Sequence, residues 1–284
     1  MVMRPEDLVR GVDTVASVKQ VYDRLFEVMD HPLSSATDIG RVIGEDPGLT
    51  ARLLRLVNSP LYGFPTRISE VSHAVSVVGM VQLNDLALGT TFIHLFDNVP
   101  CELVDMESFW EHSVACGVCA RILATERREP NVERYFVAGL LHDIGRPIMF
   151  LNAPDESRVA LERARNTGEL LVRVEADVFG FHHATVGATL LERWRVPRTI
   201  SDAVAWHHQP ALASRFPQET AVVHLADIMA NALRLGSSGE HLVPPLAPAA
   251  WDRIGLSPAT VPELLRQAEQ HYRATLHAIV GVAA

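Results

Sequence analysis

One pair of residues with chemical potential stands out in this sequence: His142 and Asp143. They follow an apolar, helix-forming run (138-AGLL-141), and Gly145 and Pro147 then predict the end of that helix and a loop beside the pair. Burying histidine and aspartate is costly unless a partner compensates their polarity. A divalent cation is such a partner, because imidazole nitrogen and carboxylate oxygen are both metal ligands. The pair alone is weak evidence for a metal site beside a loop, and the other candidate residues decide the interpretation.

Further histidines and one aspartate lie at the ends or inside of other apolar helical runs, in a chain with 13 histidines. They are His112, His183, His207, His208 and Asp227. Each histidine alone is typical of a packed or solvated side chain, but together with the first pair they predict one metal-binding site. Neighbouring residues on a helix point about 100° apart. We therefore expect His208 to be the weakest ligand, and we leave His182 outside the ligand set.

Helices must position these residues, because apolar residues recur at helical spacing and strand-like alternation is nearly absent. The sequence thus predicts an all-α fold. Asp46 and Pro47 predict a helix start, and Gly79 predicts a hinge. Helices are expected at 15–29, 37–43, 47–57, 69–78, 81–95, 106–125, 132–143, 155–167, 170–179, 183–194, 198–207, 219–235 and 262–279.

The helical pattern lapses around residues 97–101, which predicts a boundary between two lobes. We expect an N-terminal helical lobe at 12–98 packed on a second lobe at 99–212, together one domain at 12–212. Residues 213–235 would add a helix carrying Asp227. Residues 236–284 would form a C-terminal helical extension, entered through a flexible Gly-Ser-Ser-Gly connector at 236–239 and an irregular proline-rich stretch at 244–248.

Charge and composition narrow the classes of function. The net charge of −9 and the absence of a cationic run argue against nucleic acid as a partner. A small phosphorylated ligand is compatible with this charge, since a metal ion or one arginine can neutralise it. No apolar run approaches the ~18 residues of a membrane helix, and the N-terminus has acids where a secretory signal has its apolar core. We expect a cytoplasmic protein without a membrane segment.

Several other motifs have interpretations based on packing. Cys116 and Cys119 share one face of an apolar helix, so we interpret them as packing residues rather than redox or zinc ligands. Three tryptophans fall at expected core positions: Trp110, Trp194 and Trp206. The motifs 46-DPGLT-50 and 58-NSPLYG-63 are typical of helix starts and stops, with a partner-docking surface as the alternative.

The order H…HD…H…HH…D resembles the HD superfamily of metal-dependent phosphohydrolases and its binuclear HD-GYP branch. From about Val12 to Pro210 the chain resembles more closely the HDOD (HD-related output domain) family of bacterial signalling proteins. The resembling segments are 43-IGEDPGLTARLLRLVNSPLYG-63, 109-FWEHS-113, 139-GLLHDIGR-146, 183-HATVGATLLERW-194 and 203-AVAWHHQP-210. The resemblance implies an all-α fold in which a helical N-terminal lobe packs on an HD-like lobe.

The resemblance also implies an assignment of ligands to two ions. The first metal would be held by His112, His142, Asp143 and Asp227. Asp143 would bridge to a second metal, completed by His183, His207 and His208. Iron, manganese, zinc and nickel all suit such ligands, so the identity of the metal and the choice between one and two ions stay open.

The sequence departs from a working HD-GYP enzyme. Gln209 stands where the HHE segment has glutamate, and no Gly-Tyr-Pro loop follows. Arg146 replaces the usual lysine after HD-x-G, although its guanidinium can still pair with a phosphate. Hydrolysis of cyclic di-GMP therefore loses its main support, and if catalysis survives, Asp143 and Arg146 are the candidate residues.

Three functions remain in competition. The resemblance favours a regulatory output module that contains metal and acts through signalling protein partners not identified by the sequence. The alternative is a metal-dependent phosphohydrolase acting on a nucleotide or another phosphoester, and the sequence leaves open whether the chain is an enzyme. A di-iron redox or oxygen sensor is a third hypothesis, because histidine and carboxylate also suit iron.

Overall fold

The computed structural model describes residues 3–10, 12, 24, 27–28, 35–96 and 103–280. These residues form helices and connecting segments without a strand, which confirms the all-α fold. The α-helices are α1 (Pro5–Arg10), α2 (Ala36–Gly44), α3 (Pro47–Val57), α4 (Val71–Val78), α5 (Met80–Phe96), α6 (Met106–Glu126), α7 (Val132–Leu141), α8 (Gly145–Asn152), α9 (Pro154–Thr167), α10 (Leu171–Phe179), α11 (His183–Arg193), α12 (Arg198–Trp206), α13 (Pro217–Ala232), α14 (Pro248–Ile254) and α15 (Val261–Val280).

Local sequence signals explain the helix boundaries of the first lobe. Ser35 and Asp38 form a capping box at the start of α2. The Asp46 carboxylate accepts a hydrogen bond from the Leu49 backbone at the start of α3, with Pro47 in the first turn. Gly79 has a φ of 103° and separates α4 from α5, as the hinge prediction requires. Most of the predicted helix at 15–29 and all of the predicted boundary at 97–101 lie outside the described residues.

Helix α6 lies at the centre of the second lobe, where it packs against α7, α13 and α15. Its contact with α7 is close because Gly139 faces the backbone of Cys116, and a Cβ there would lie 2.8 Å from the Cys116 carbonyl oxygen. Cys116 and Cys119 are buried free thiols on α6, a placement that agrees with a packing role. Helix α15 also packs against α3, so the C-terminal extension joins the two lobes.

The predicted loop after Asp143 is mostly helical, whereas the predicted irregular stretch at 244–248 is irregular as far as residue 247. The loop expected after His142 and Asp143 is a short turn followed by α8, which starts at Gly145 and contains Pro147 in its first turns, where proline needs no backbone donor. The proline-rich stretch ends in α14, with Pro248 as its first residue. Pro147 and Pro248 therefore lie in the first turns of helices, where the sequence predicts a helix end and an irregular stretch.

The connector at 236–239 is not a free linker, contrary to the prediction. Ser238 is buried, and the Ser237 amide donates to the Ser108 carbonyl of α6 at 3.0 Å. Gly236 lies so close to α6 that a Cβ would overlap the His112 amide nitrogen. Its glycines and serines therefore allow close backbone packing rather than mobility.

Trp206 also departs from expectation. Trp110 and Trp194 are buried as predicted, but Trp206 is 38% exposed at the end of α12.

Within the described residues no single helix is long and apolar enough to span a membrane. Only α4 and the first part of α5 taken together have that length and apolarity, and the two are bent by 118° relative to each other.

Candidate metal centre

Five parts of the second lobe bring the predicted ligands together. His112 lies in the middle of α6, and His142 and Asp143 lie in the turn between α7 and α8. His183 is the first residue of α11. The remaining residues are His207 and His208, directly after α12, and Asp227 on α13. All seven residues converge, in two groups whose candidate ligand atoms lie within 4.8 Å of one another.

The first group consists of His112, His142 and Asp227, and all three side chains are buried. Oδ1 of Asp227 lies 3.2 Å from Nε2 of His112 and 3.5 Å from Nε2 of His142. Asn231, one turn further along α13, donates to the same oxygen at 2.7 Å. One carboxylate thus faces two imidazoles in a dry environment, an arrangement that suits a divalent cation.

The second group consists of Asp143, His183, His207 and His208. Oδ1 of Asp143 lies 2.8 Å from Nε2 of His183 and 3.9 Å from Nε2 of His207. Nε2 of His208 lies 3.0 Å from Nε2 of His183. The second carboxylate oxygen of Asp143 is 3.4 Å from Nε2 of His142, so Asp143 lies between the two groups.

Hydrogen bonds on the outer ring nitrogens orient three of the imidazoles. Nδ1 of His142 donates to the Gly139 carbonyl at 2.7 Å, and Nδ1 of His207 donates to the Val204 carbonyl at 2.8 Å. Nδ1 of His183 lies 2.5 Å from a carboxylate oxygen of Glu175. With Nδ1 engaged in this way, each ring presents Nε2 to the centre, which is the usual arrangement of metal-bound histidine.

Several buried polar atoms of the centre make no hydrogen bond of normal geometry. They are Nε2 of His112, His142 and His207, and Oδ1 of Asp143. Leaving such atoms unsatisfied is costly, and here they face one another around a common centre. Imidazole nitrogens and carboxylate oxygens that lack partners fit a divalent transition metal. The described clusters can therefore hold a metal ion.

The charge states of Asp143 and Asp227 agree with a role as metal ligands. Burial alone would raise the pKa of Asp143, but Arg146, His142 and His183 hold it well below its ordinary value. Burial likewise opposes ionisation of Asp227, and the imidazoles of His112 and His142 beside its carboxylate lower its pKa well below the usual range. Both carboxylates are ionised at neutral pH and can act as ligands.

The histidines divide into two classes. Burial and the neighbouring histidines lower the pKa values of His207 and His208 well below the ordinary value, so both rings are neutral. Burial would also lower the pKa of His183, but Glu175 and Asp143 raise it. Asp143 similarly helps to raise the pKa of His142 against the effect of burial. Metal binding must displace protons from the second class, which couples metal affinity to pH.

Sequence reasoning missed Glu175, a buried glutamate of α10. Besides His183 Nδ1 it accepts a hydrogen bond from the His183 amide at 3.0 Å and one from Arg146 Nε at 3.3 Å. The signal was present in the sequence, because Glu175 lies among the buried apolar residues Leu171, Val174 and Phe179 of α10. A carboxylate on such a face needs a compensating partner.

Arg146, a candidate for phosphate binding, is itself buried and engaged in the protein. Its Nη1 donates to Asp143 Oδ2 at 3.0 Å and also contacts the hydroxyl and the carbonyl of Ser238. Together with its bond to Glu175, these contacts link the centre to the segment at 236–239. Arg146 therefore positions Asp143 and Glu175.

Access to the centre runs past His208. Six of the seven residues are buried, whereas His208 is partly exposed and lines a cavity of about 250 Å³. Other lining residues are Arg173, His182, Gln209, Pro244 and Pro245. The residue predicted to be the weakest ligand is thus the one at the opening. His182 lies in the same cavity wall and belongs to neither ligand group.

His224 supports this region from behind. Its Nδ1 donates to the His207 carbonyl at 2.7 Å, and its Nε2 accepts from the Ala247 amide at 2.9 Å. Both ring nitrogens of His224 are therefore satisfied by backbone groups. It fixes the backbone of a predicted ligand without being one.

Similar proteins of known sequence or structure agree with this fold. A protein of Treponema pallidum (strain Nichols), named only as uncharacterized, is 27% identical over 204 residues, which cover 69% of this chain and 38% of that protein. A structure of an HDOD domain protein with unknown function from Geobacter sulfurreducens matches with a TM-score of 0.73 at 24% identity, covering 93% of this chain and 97% of that one.

A structure of a candidate phosphohydrolase from Shewanella amazonensis SB2B also matches with a TM-score of 0.73, at 20% identity, covering 97% of this chain and 98% of that one. At these identities the solved structures establish the fold alone. The HDOD domain family model matches residues 15–210, which is more than half of the sequence. The helical architecture, the converging histidines and aspartates and this match lead to one conclusion: the chain belongs to the HDOD domain family.

Proposed function

We propose that this chain is a regulatory output module of bacterial signal transduction, in which a divalent transition metal organises the HD-like lobe. The observation that carries the proposal is the enclosure of the centre: six ligand candidates are buried, and hydrogen bonds fix the rings of three histidines. Such a centre suits an ion that holds helices together. The expected compartment is the cytoplasm, and the expected partners are other signalling proteins.

The residues of this chain would divide the work as follows. His112, His142 and Asp227 would hold one ion, and His183, His207 and His208 would hold a second, with Asp143 between them. Glu175 and Arg146 orient His183 and Asp143. A bound ion would contribute positive charge and Lewis acidity at the centre. Iron, manganese, zinc and nickel all remain candidates.

Two observations favour regulation over turnover. Gln209 lies in the cavity wall beside His208, so the chain offers a neutral amide where an HHE segment offers a carboxylate. The cavity of about 250 Å³ is also below the ~300–1,000 Å³ typical of pockets for drug-sized ligands. A cyclic dinucleotide would not be enclosed by it.

A metal-dependent phosphohydrolase is the second candidate, because the cavity gives a small molecule a route to the centre. Arg173 lies at its wall and can meet an anionic group, while Pro244 and Pro245 offer apolar contact. A small phosphorylated compound fits these features better than a large one. In this case Asp143 would act on the reacting group, and Arg146 would hold Asp143 in place.

Elemental analysis of the purified chain, followed by a panel of phosphoesters on the metal-loaded form, tests the proposal. We expect bound transition metal in the wild type, loss of most of it in Asp143→Ala, and no turnover that depends on Asp143. Steady turnover that disappears in Asp143→Ala would replace the first function with the second. Absence of metal after reconstitution would remove the basis of both.

A further inference from the structure

A second cavity lies where the first lobe meets α15, and it is formed by other segments of the chain than those that carry the metal-ligand candidates. It is a groove of about 790 Å³, which we call the α3–α15 groove. Residues from α3, from the loop at 58–69 and from α15 line it, among them Leu54, Arg55, Phe64, Arg67, Ala274 and His277. None of the seven metal-ligand candidates is among the residues that the structure describes in its walls.

The walls of the groove are held by hydrogen bonds. Asn58, in the 58-NSPLYG-63 motif, donates through Nδ2 to the carbonyls of Leu54 and Ile68 at 2.6 and 2.7 Å. Its Oδ1 accepts from the Ile68 amide at 2.8 Å. Arg55 donates from Nε to the Ala278 carbonyl at 3.1 Å and so joins α3 to α15. The groove is therefore preformed, which lowers the cost of binding.

The charge of the groove is opposite in sign to the net charge of the whole molecule. The chain carries a net charge of −9, yet Arg55 and Arg67 line the groove, His277 lies beside them, and none of its described lining residues is acidic. Arg67 is exposed at the edge. A local positive field attracts acidic segments of partners, while the net negative charge of the whole chain opposes the approach of further copies.

Apolar surface lies between these cations. Leu54 and Phe64 are half-buried, and Phe64 stacks on Tyr62 with ring centroids 6.0 Å apart. Ala274 provides a small residue on the opposite wall, which leaves room for a side chain. Ser59 is buried in the floor, and its hydroxyl has no hydrogen-bond partner. The groove thus combines an apolar surface, a cationic edge and the Ser59 hydroxyl, which has no hydrogen-bond partner.

We infer that the α3–α15 groove docks an acidic segment of a partner protein, in which a large apolar side chain is flanked by aspartate or glutamate. The apolar side chain would lie between Phe64 and Ala274, and the carboxylates would face Arg55 and Arg67. This inference rests on the proposed function, which requires a protein partner. Helix α15 also packs against α6, the helix that carries His112, so the docking groove and the metal centre share a structural support.

Selection of short random peptides on the metal-loaded full chain tests the inference without knowledge of the natural partner. We expect enrichment of peptides that combine acidic residues with a large apolar residue. By fluorescence anisotropy, an enriched peptide should bind Arg67→Glu at least ~10-fold more weakly than wild type, because the substitution reverses a charge at the edge. Its affinity should also fall as salt is raised.

Arg165→Glu is the matched control, since Arg165 is an exposed arginine of α9 outside the groove. It should leave peptide affinity unchanged within about two-fold. The inference is overturned if no peptide is enriched, if the enriched peptides are not acidic, or if both variants lose affinity equally. Displacement of the peptide by a single-stranded oligonucleotide at comparable concentration would also overturn it, in favour of a nucleic-acid site.

The same samples separate this inference from the proposed function. Metal content is measured on every variant, and Arg67→Glu should retain all of it. If acidic peptides bind to a chain that cannot hold metal, and this binding depends on Arg67, the inference about the groove is supported and the proposed metal-organised module is contradicted. If the chain holds metal normally but enriches no acidic peptide, the inference about the groove is contradicted and the proposed function is not.

Discussion

Glu175 shows how a residue that is not a ligand can decide whether a ligand works. It contacts both the ring and the amide of His183, and it accepts a further bond from Arg146. The negative charge next to Nδ1 makes the opposite nitrogen a stronger donor to a metal. Without it, the His183 ring has no fixed orientation at the start of α11.

We expect Glu175→Gln to weaken metal binding by at least ~10-fold, near the lower end of the effect of such orienting groups. Glutamine keeps an oxygen that can accept from Nδ1 but removes the charge. Competition with a chelator measures the affinity, and Glu162→Gln, at an exposed site on α9, is the control. Equal affinity in wild type and Glu175→Gln would contradict the orienting role.

The residue types of the site could be predicted from the sequence, but their supporting contacts could not. The seven residues were visible because histidine and aspartate in apolar runs are conspicuous. Arg146 was a candidate partner for a phosphate, and its guanidinium is held by Asp143, Glu175 and Ser238. Ser238 is 92 residues away from it in sequence, and only the tertiary fold reveals that contact.

Among the contacts between helices, the one between the start of α8 and α11 shapes the metal centre. Gly145 lies against α11, where a Cβ would overlap the His183 carbonyl oxygen and lie 2.7 Å from the Gly187 amide nitrogen. Glycine is required here for close approach of two backbones, and the turn that holds His142 and Asp143 depends on that approach. Two predicted ligand positions, at 143 and 183, are therefore fixed by one small residue.

Gly145→Ala should lower the free energy of unfolding by more than about 2 kcal/mol, because α8 and α11 must move apart. Urea denaturation of the metal-free protein measures this effect separately from metal binding. Gly44→Ala provides the comparison, since no atom would lie within 4 Å of its Cβ, and we expect it to be neutral or slightly stabilising. Similar losses in both variants would show that packing at Gly145 is not special.

Helix positions were predictable because periodicity and capping are local properties. Ser35, Asp46 and Gly79 mark boundaries through their own hydrogen bonds and dihedral angles. The errors arose where one residue type serves two purposes. Pro147 and Pro248 lie in first turns rather than at helix ends, and the glycines at 236 and 239 lie in a packed segment rather than a mobile one.

At the scale of the whole molecule, the candidate centre joins segments that are distant in the chain. It connects α6, the turn after α7, α11, the end of α12 and α13. A metal ion bound there would cross-link the second lobe, because each segment contributes at least one of its ligands. Folding and metal binding should therefore be linked.

Removal of metal should lower the midpoint of thermal unfolding. At a free metal concentration of about 100 times Kd, binding adds ~2.7 kcal/mol of stability, which corresponds to about 5–10 °C for a domain of this size. Differential scanning calorimetry before and after chelation measures the shift. Asp143→Ala should unfold at the same temperature with and without metal, and an equal shift in that variant would place the stabilising ion elsewhere.

The all-α architecture followed from the sequence because helical apolar periodicity extends through most of the chain. The arrangement of its parts did not follow. The C-terminal extension was expected to be helical, without a prediction of what it packs on, and α15 packs on both α3 and α6, with Arg55 donating to the Ala278 carbonyl. Contacts between residues more than 200 positions apart depend on complementary surfaces, which composition does not disclose.

The position of Asp227 on α13 limits how such modules can be recombined. The family match ends at residue 210, and Asp227 lies beyond it on α13, as does Ser238, which contacts Arg146. A chimera that grafts only the matched segment onto another protein would carry six of the seven donors and leave the last behind. Recombination that preserves the centre must therefore cut the chain downstream of the segment by which its family is recognised.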